Sequence, residues 1–331
     1  MIKIPPHRLD ELKNNFIGKK IAVIGDMMLD CYFWGEVKRI SPEAPVPVVE
    51  IGDEFYRFGG AANVALNILT LGGIPLPIGV IGDDNDGKIF KLLIEQHKLQ
   101  ADGIIIDKSR PTTAKTRVIA HSQHVVRIDK ESKDYINEEL RKKIFSYIES
   151  HIRKVDGIIL QDYNKGVLTP ELIEKVINLA NKNDVLITVD PKFNNFFAYK
   201  HVTVFKPNRK EAEEVLGIKI KTSSDISSAG KIIRERLSAK NVLLTLGEEG
   251  IAVFSENQPE KRMPTKAIKV ADVSGAGDTV ISTLTMALAA DANILEACYL
   301  ANFAAGIVCG EVGIVPIEID NLFSVVRNDH K

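Results

Sequence analysis

Asp272-Val-Ser-Gly-Ala-Gly-Asp-Thr279 stands directly before an apolar stretch running from Val280 to Ala290. Gly275 and Gly277 carry no Cβ, so the backbone there can aim successive N–H groups at one point. The helix that follows adds the positive end of its dipole. Such a turn binds a phosphate. Asp278 is the odd residue, because a fixed carboxylate repels phosphate unless it takes a proton from an attacking hydroxyl. The chemistry these residues suggest is phosphoryl transfer: the glycines bind the anion and the aspartate activates the nucleophile. Read plainly, the same turn is a helix N-terminus with a favourable acid in its first turn.

Other candidates stand where β-branched runs end. Gly25-Asp-Met-Met-Leu-Asp30 follows such a run, placing Asp26 and Asp30 at its carboxyl end, where ligands bind in open α/β sheets. Two acids there suit sugar hydroxyls; a helix cap beside a solvated carboxylate is the plainer alternative. In Gly59-Gly-Ala-Ala-Asn63 the paired glycines let the backbone approach a ligand, and Asn63 can donate and accept toward a hydroxyl pair. A simple loop and cap explains it equally well. Lys206-Pro-Asn-Arg-Lys-Glu211 puts Asn208 at an N-cap and Glu211 at the capping-box position. The same amide and carboxylate could hold a hydrated magnesium ion. Leu244-Thr-Leu-Gly-Glu-Glu-Gly250 leaves a strand through a glycine-rich turn, as a nucleotide-lining loop would and as any turn would.

A basic set completes the inventory: Lys115, Arg117, Arg127, Lys165 and Lys192. Each alone is a solvated surface charge. Lys115 and Arg117 are two apart and share a strand face, so with Arg127 across a hairpin they could clamp a phosphate. Asp162 and Asp190 each end a strand run on the ligand side. Seven histidines show no metal spacing and no partner serine or cysteine, which leaves a zinc or triad hydrolase unsupported.

The elements that must position these residues alternate. Ile21 to Ile24, Ile158 to Leu160, Val185 to Val189, Val202 to Phe205 and Val242 to Leu246 read as buried strands. Ala61 to Leu71, Asp86 to Gln96, Asn137 to Ser150, Pro170 to Lys182, Lys210 to Leu216 and Ser224 to Ser238 read as helices, and Leu295 to Val308 as a helix apolar nearly all round. Strand then helix, repeated, predicts an α/β fold with a parallel sheet covered on both faces. Tyr32 to Phe58 and Thr112 to Asp129 break the rhythm and predict a small β layer, the second as a hairpin.

With 331 residues the chain can bury a sizeable core, and one large α/β unit with an excursion fits as well as two domains. Its 43 Lys and Arg nearly cancel 44 Asp and Glu, so no global field attracts nucleic acid or an anionic membrane. Three scattered cysteines, Cys31, Cys298 and Cys309, make no disulfide framework and suit a reducing cytoplasm. No basic, apolar leader opens the chain and no apolar run approaches about 18 residues, so neither export nor anchoring is expected.

Taken together, Gly59 to Asn63, Asn208 with Glu211, and Asp272 to Thr279 resemble the ribokinase-like (PfkB) carbohydrate kinases across essentially the whole chain. Arg39-Ile-Ser-Pro-Glu-Ala-Pro-Val-Pro-Val48, Thr113-Ala-Lys-Thr-Arg117, Gln161-Asp-Tyr-Asn-Lys-Gly166 and Asp190-Pro-Lys192 narrow the resemblance to the heptose 7-phosphate kinases of lipopolysaccharide precursor synthesis. The resemblance implies a three-layer sandwich with a mainly parallel central sheet and a β lid from about 32–58 and 112–129, all in one kinase domain spanning 1–331. It also implies ATP and Mg2+ as cofactors, a phosphorylated heptose as acceptor, and a homodimer paired through the lid. Asp278 would be the base, with Gly275, Ala276 and Gly277 forming an anion hole that begins at Ser274. Asn208 and Glu211 would serve magnesium and the nucleotide phosphates, with Thr245, Gly247, Gly250 and Asn302 lining the nucleotide. Asp26, Asp30, Gly59, Gly60, Asn63 and Asp162 would bind the sugar. Lys115, Arg117 and Arg127 become the candidates for the sugar's phosphate, with Lys165 or Lys192.

Two departures stand out. Lys206-Pro-Asn replaces the commoner Thr-Pro-Asn, and Gln161 replaces a serine. No His-x-Gly-His nucleotidyltransferase signature occurs, so adenylyl transfer is expected of a separate protein. Three rivals remain: a kinase of another sugar or nucleoside, a silent sugar-sensing module, and a dinucleotide oxidoreductase. The last is weakened because Val280 stands where its third glycine belongs.

Overall fold

In the computed structural model, residues 3–121, 123–266, 270–311 and 313–329 are described. After α1 (Pro6–Phe16) the chain enters β1 (Lys20–Gly25), buried in all but its first residue. One residue later it turns into two long strands, β2 (Met27–Ile40) and β3 (Pro47–Gly60). Next come α2 (Ala61–Thr70), β4 (Ile74–Gly82), α3 (Asn85–Gln96) and β5 (Ile104–Asp107), then a hairpin of β6 (Thr113–Ala120) and β7 (Gln123–Lys130). The middle of the chain holds α4 (Glu138–His151), β8 (Gly157–Gln161), α5 (Pro170–Lys182), β9 (Leu186–Asp190), β10 (Val204–Phe205), α6 (Arg209–Leu216) and α7 (Ser223–Leu237). Strands β11 (Asn241–Thr245), β12 (Ile251–Ser255) and β13 (Lys261–Met263) follow, and α8 (Ala276–Ala289), α9 (Ile294–Val308) and α10 (Ile319–Asn328) end the described elements.

The main sheet runs β13-β12-β11-β10-β9-β8-β1-β4-β5 and is parallel except where β12 and β13 join antiparallel. Alternate residues of β1 feed opposite cores, as a period of two requires: Ile21 and Val23 pack with α1, α2, α8, α9 and α10, and Ala22 and Ile24 with α4, α5 and α7. The result is three layers with an apolar core on each face of the sheet.

A second sheet, β3-β2-β6-β7, forms the β layer expected of 32–58 and 112–129. It is wider than those bounds, since β2 and β3 pair antiparallel from Met27 opposite Gly60 outward to Ile40 opposite Pro47. The half of β2 next to the core is buried and the far half exposed. The hairpin closes around His121; Ser122 lies outside the described residues. Gly60, at φ +56°, ends β3 where a Cβ would come 2.4 Å from the Asp26 carbonyl oxygen, so only glycine lets the lid meet the core there.

The expected helices form within a residue or two of their predicted bounds, as does the buried helix now α9. Strand β4 has no counterpart in the sequence reading because Pro75 and Pro77 interrupt it. It forms nonetheless, paired with β1 along Lys20 to Ile24 and with β5 beyond. Tertiary pairing there outweighs a local signal that argues against a strand.

Candidate active site

The carboxyl ends of β1, β8, β9 and β10 and the start of α8 converge on one point. Asp278 lies in the first turn of α8, only 3% exposed. Its Oδ2 accepts from Asn63 Nδ2 at 2.8 Å, and its Oδ1 from the Tyr163 hydroxyl at 2.7 Å and Gln161 Nε2 at 3.0 Å. Burial pushes its carboxyl up to about 6; Asn63 and Tyr163 pull down, the charge of Asp190 pushes up and Lys206 pulls down. A carboxylate so tuned is ionised at neutral pH yet basic enough to take a proton.

Gly275, the N-cap of α8, adopts φ +79°, a left-handed conformation suited to glycine, and a Cβ there would press against Asn63 and Ile314 at 3.3 Å. No side chain caps the helix; the Ala276 N–H donates to the Val273 carbonyl at 3.2 Å, and the first-turn N–H groups from Gly277 onward are the ones suited to an anion. Beside Gly277 lies a buried ion pair, Lys206 Nζ to Asp190 Oδ1 at 2.9 Å, and a Cβ on Gly277 would stand 3.7 Å from both partners. An ammonium at the mouth of an uncapped helix start is suited to charge developing on a transferring phosphoryl group.

A cleft of about 860 Å³ opens from this point, and Gly277, Lys206, Asn208, Thr245, Gly247, Gly250 and Asn302 are among its lining residues. Asn208 and Glu211 complete the capping box: Asn208 Oδ1 accepts from the Glu211 N–H, and Glu211 Oε2 from the Asn208 N–H. Glu211 Oε1 pairs with Lys192 Nζ, which also lies 5.4 Å over the Tyr163 ring. Lys192, expected beside the lid bases, lines this cleft, with Glu211 and Tyr163 as its partners.

On the lid side, Asp30 is 2% exposed and ion-paired with Arg117. Burial raises the Asp30 carboxyl above its usual range, opposed by Arg117, Lys115 and Arg127. Gly59 packs on this carboxylate, where a Cβ would meet Oδ2 at 2.3 Å. Lys115 reaches Asp129 at 3.4 Å and Glu131 at 3.8 Å; Lys165 reaches Glu131 at 2.7 Å. Arg127, opposite Arg117 in the hairpin, pairs with Asp129 and is largely exposed. Each lid base thus holds an acid, and Lys115 shares Asp129 with Arg127 and Glu131 with Lys165.

Two expected sugar ligands are engaged elsewhere. Asp26 accepts from the N–H groups of Tyr163, Lys165 and Val167 at 2.8 to 3.1 Å, so its carboxylate fastens the loop after β8 rather than facing a hydroxyl. Asp162 accepts from Tyr199 Oη at 2.6 Å and the Asn164 N–H at 2.8 Å, shaping that same loop. Conversely, Gln161, Tyr163 and Lys206 contact the centre without having been assigned a role. The available signal was their place at strand ends: Gln161 is the last residue of β8, and Lys206 directly follows β10.

A cleft of about 860 Å³, a helix start without a side-chain cap and a buried carboxylate beside a lid lined with acids and bases suit a phosphoryl-transfer enzyme that acts on a polyhydroxylated acceptor. Residues 18–319 match the model of the pfkB family of carbohydrate kinases, and the chain belongs to that family; it is an ATP-dependent carbohydrate kinase. It is 44% identical over 312 residues to the bifunctional protein HldE of Helicobacter pylori (strain HPAG1), spanning 94% of this chain and 67% of that protein. To the bifunctional protein HldE of Aliarcobacter butzleri it is 46% identical over 311 residues, 94% of this chain and 65% of the relative. The chain therefore spans about two thirds of the length of these relatives. Among solved structures, phosphofructokinase-2 of Escherichia coli superposes with a TM-score of 0.75 at 18% identity, covering 95% of this chain and 100% of that one. Arabidopsis thaliana ribokinase, complexed with ribose and ATP, superposes at 0.73 and 18% identity, covering 94% and 99%. These two matches establish the ribokinase-like fold.

Proposed function

We propose that this kinase transfers the γ-phosphoryl group of ATP to the anomeric hydroxyl of D-glycero-D-manno-heptose 7-phosphate, giving the β-1,7-bisphosphate for ADP-heptose synthesis. The observation that carries the substrate assignment is the 44% identity to HldE over 94% of the chain, with the lid motifs around Arg39 to Val48 and Thr113 to Arg117 inside the matched region. The charge pattern supports it. Lys115, Lys165 and Arg117 gather around acids at the lid, a cation-rich recess suited to a sugar that already carries a phosphate.

In this reading Asp278 takes the hydroxyl proton as the sugar oxygen attacks phosphorus, and ADP leaves with the electron pair of the broken phosphorus–oxygen bond. The α8 start and Lys206 face the charge that develops. Donors so placed typically contribute about 3 kcal/mol each. Asn63 holds the base and keeps a buried Oδ1 that has no partner among the described residues, an acceptor for a neighbouring sugar hydroxyl.

Magnesium fits the donor set through water. Each Glu211 oxygen already accepts one N–H donor, and among the described residues no three His, Cys, Asp or Glu side chains form a metal cage. The ion would neutralise phosphate oxygens beside Asn208 and Glu211. We also propose a homodimer through the lid, whose strands expose Ile40 on β2, Ile51 on β3, and Val126 and Ile128 on β7, and a cytoplasmic setting where ATP is supplied. Among the described residues no helix is long and apolar enough to cross a membrane. Adenylyl transfer, the later step, is assigned to a separate active site.

The test is ADP release across heptose 7-phosphate, free heptose, fructose 6-phosphate and ribose, with the product anomer read by NMR. The expected result is a kcat/KM for heptose 7-phosphate at least about a hundredfold above the rest. Equal turnover of an unphosphorylated sugar would refute the substrate assignment.

A further inference from the structure

Gln161 is fully buried at the carboxyl end of β8, in register with Gly25 of β1 and Asp190 of β9. Its one amide nitrogen reaches two carboxylates, Asp278 Oδ1 at 3.0 Å and Asp190 Oδ2 at 3.2 Å. The nitrogen carries two hydrogens, so each acid can receive one. Asp190 in turn holds Lys206 through its other oxygen. We propose that Gln161 is a positioning residue for phosphoryl transfer: its amide ties Asp278 to the Asp190–Lys206 pair and leaves Oδ2 of Asp278 as the oxygen that takes the substrate proton.

The oxygen assignment follows from counting donors. Oδ1 accepts from both Tyr163 and Gln161, which occupies its two lone pairs, whereas among the described residues Oδ2 accepts only from Asn63. In the transfer step the sugar O–H bond breaks, its proton binds the open lone pair of Oδ2, the sugar oxygen bonds to phosphorus, and the bridging bond to ADP breaks. Throughout, Gln161 and Tyr163 keep Oδ1 in place.

An amide is also the right chemical type. A glutamate at 161 would crowd three acids together. A lysine would neutralise Asp278 and lower its affinity for the proton. The neutral amide bridges two anions, fixing geometry while leaving the base basic. Titratable or charged groups that face Asp278 are Tyr163 from the loop after β8, Asp190 and Lys192 from the end of β9, and Lys206 from the end of β10. Tyr163 is held far above its usual range by burial and by the two nearby acids, so it remains a protonated donor. Gln161 is thus the link between the base and the ion pair at the anion site.

This rests on Asp278 being the base, and the experiment separates the two ideas. In Gln161→Leu, which removes both donors at similar volume, kcat should fall about tenfold or more, as loss of a hydrogen bond to a charged group implies. Both KM values should stay within about twofold, and the acid limb of the kcat profile should move up by about one pH unit, because the ionised form of Asp278 loses a donor. Gln161→Met is the second variant should the first fail to fold, with the same shift expected. An unmoved acid limb, or a loss confined to KM, would overturn the positioning role. Asp278→Asn is the control: retained turnover there removes the base itself, whereas an inactive Asp278→Asn beside a wild-type Gln161→Leu removes only the inference about Gln161.

Discussion

Acidification should silence this kinase through Asp278, and the same carboxylate should leave a signature in stability. Burial pushes its carboxyl to about 6 from an ordinary 3.8. A base that must be ionised is then about half active at pH 6 and about one-tenth active at pH 5. The folded protein holds this proton more tightly than the unfolded chain does. Between about pH 4 and pH 6 the native state therefore binds more protons, and stability falls as pH rises through that window. By pH 7 and above the difference of about two units costs about 3 kcal/mol. Asp278→Asn removes that cost but misplaces an amide among three donors, Asn63, Gln161 and Tyr163, a pH-independent penalty of about 1–3 kcal/mol. Comparing variant with wild type across pH cancels the fixed penalty, and also cancels Asp26, which burial likewise pushes up to about 6. The expected outcome is that Asp278→Asn gains about 3 kcal/mol relative to wild type between pH 4 and pH 8, measured by urea unfolding. Its kcat, followed by coupled ADP release, should fall by about a hundredfold or more. A pH-independent stability difference, or a kcat within tenfold of wild type, would refute the argument.

Three further outcomes follow from the contacts. Gly275→Ala forces a side chain into a left-handed backbone against Asn63 and should cost about 1–2 kcal/mol of stability and lower kcat; unchanged melting and turnover would show that the turn relaxes freely. Lys206→Met strands Asp190 in a buried setting, so about 3 kcal/mol of stability should be lost and kcat should fall more than the KM for ATP rises; a pure KM effect would remove Lys206 from the transition state. Arg117→Ala should raise the KM for the phosphosugar while leaving that for ATP unchanged, since Arg117 lies at the lid beside Asp30 and does not line the nucleotide cleft; steady-state titration of each substrate decides it.

Much of the fold could be read from local pattern, because buried parallel strands require near-continuous apolar runs and their helices require amphipathic ones. Ile21 to Ile24 and Ile158 to Leu160 are such runs, and each became a central strand. Pro75 and Pro77 hid β4, which forms because β1 and β5 flank it, a circumstance no local window contains. The site divides in the same way. Asp278, Gly275, Asn208 and Glu211 carry short-range signatures, since helix starts and capping boxes are built within a few residues.

For Gln161, Tyr163 and Lys206 the local signal was no more than a place at or just past a strand end, and the contacts of Gln161 and Tyr163 with Asp278 cross more than a hundred residues. Nor could residue type tell that Asp26 is consumed by three backbone N–H groups, or that Lys192 lines the cleft beside Asn208 and Glu211. Sequence by itself determined which side chains could do chemistry and which backbone segments had to be turns, because those follow from bonding capacity and local sterics. Tertiary structure alone decided which carboxylates keep a free lone pair, because hydrogen-bond partners are allotted only when distant strand ends are brought together out of water.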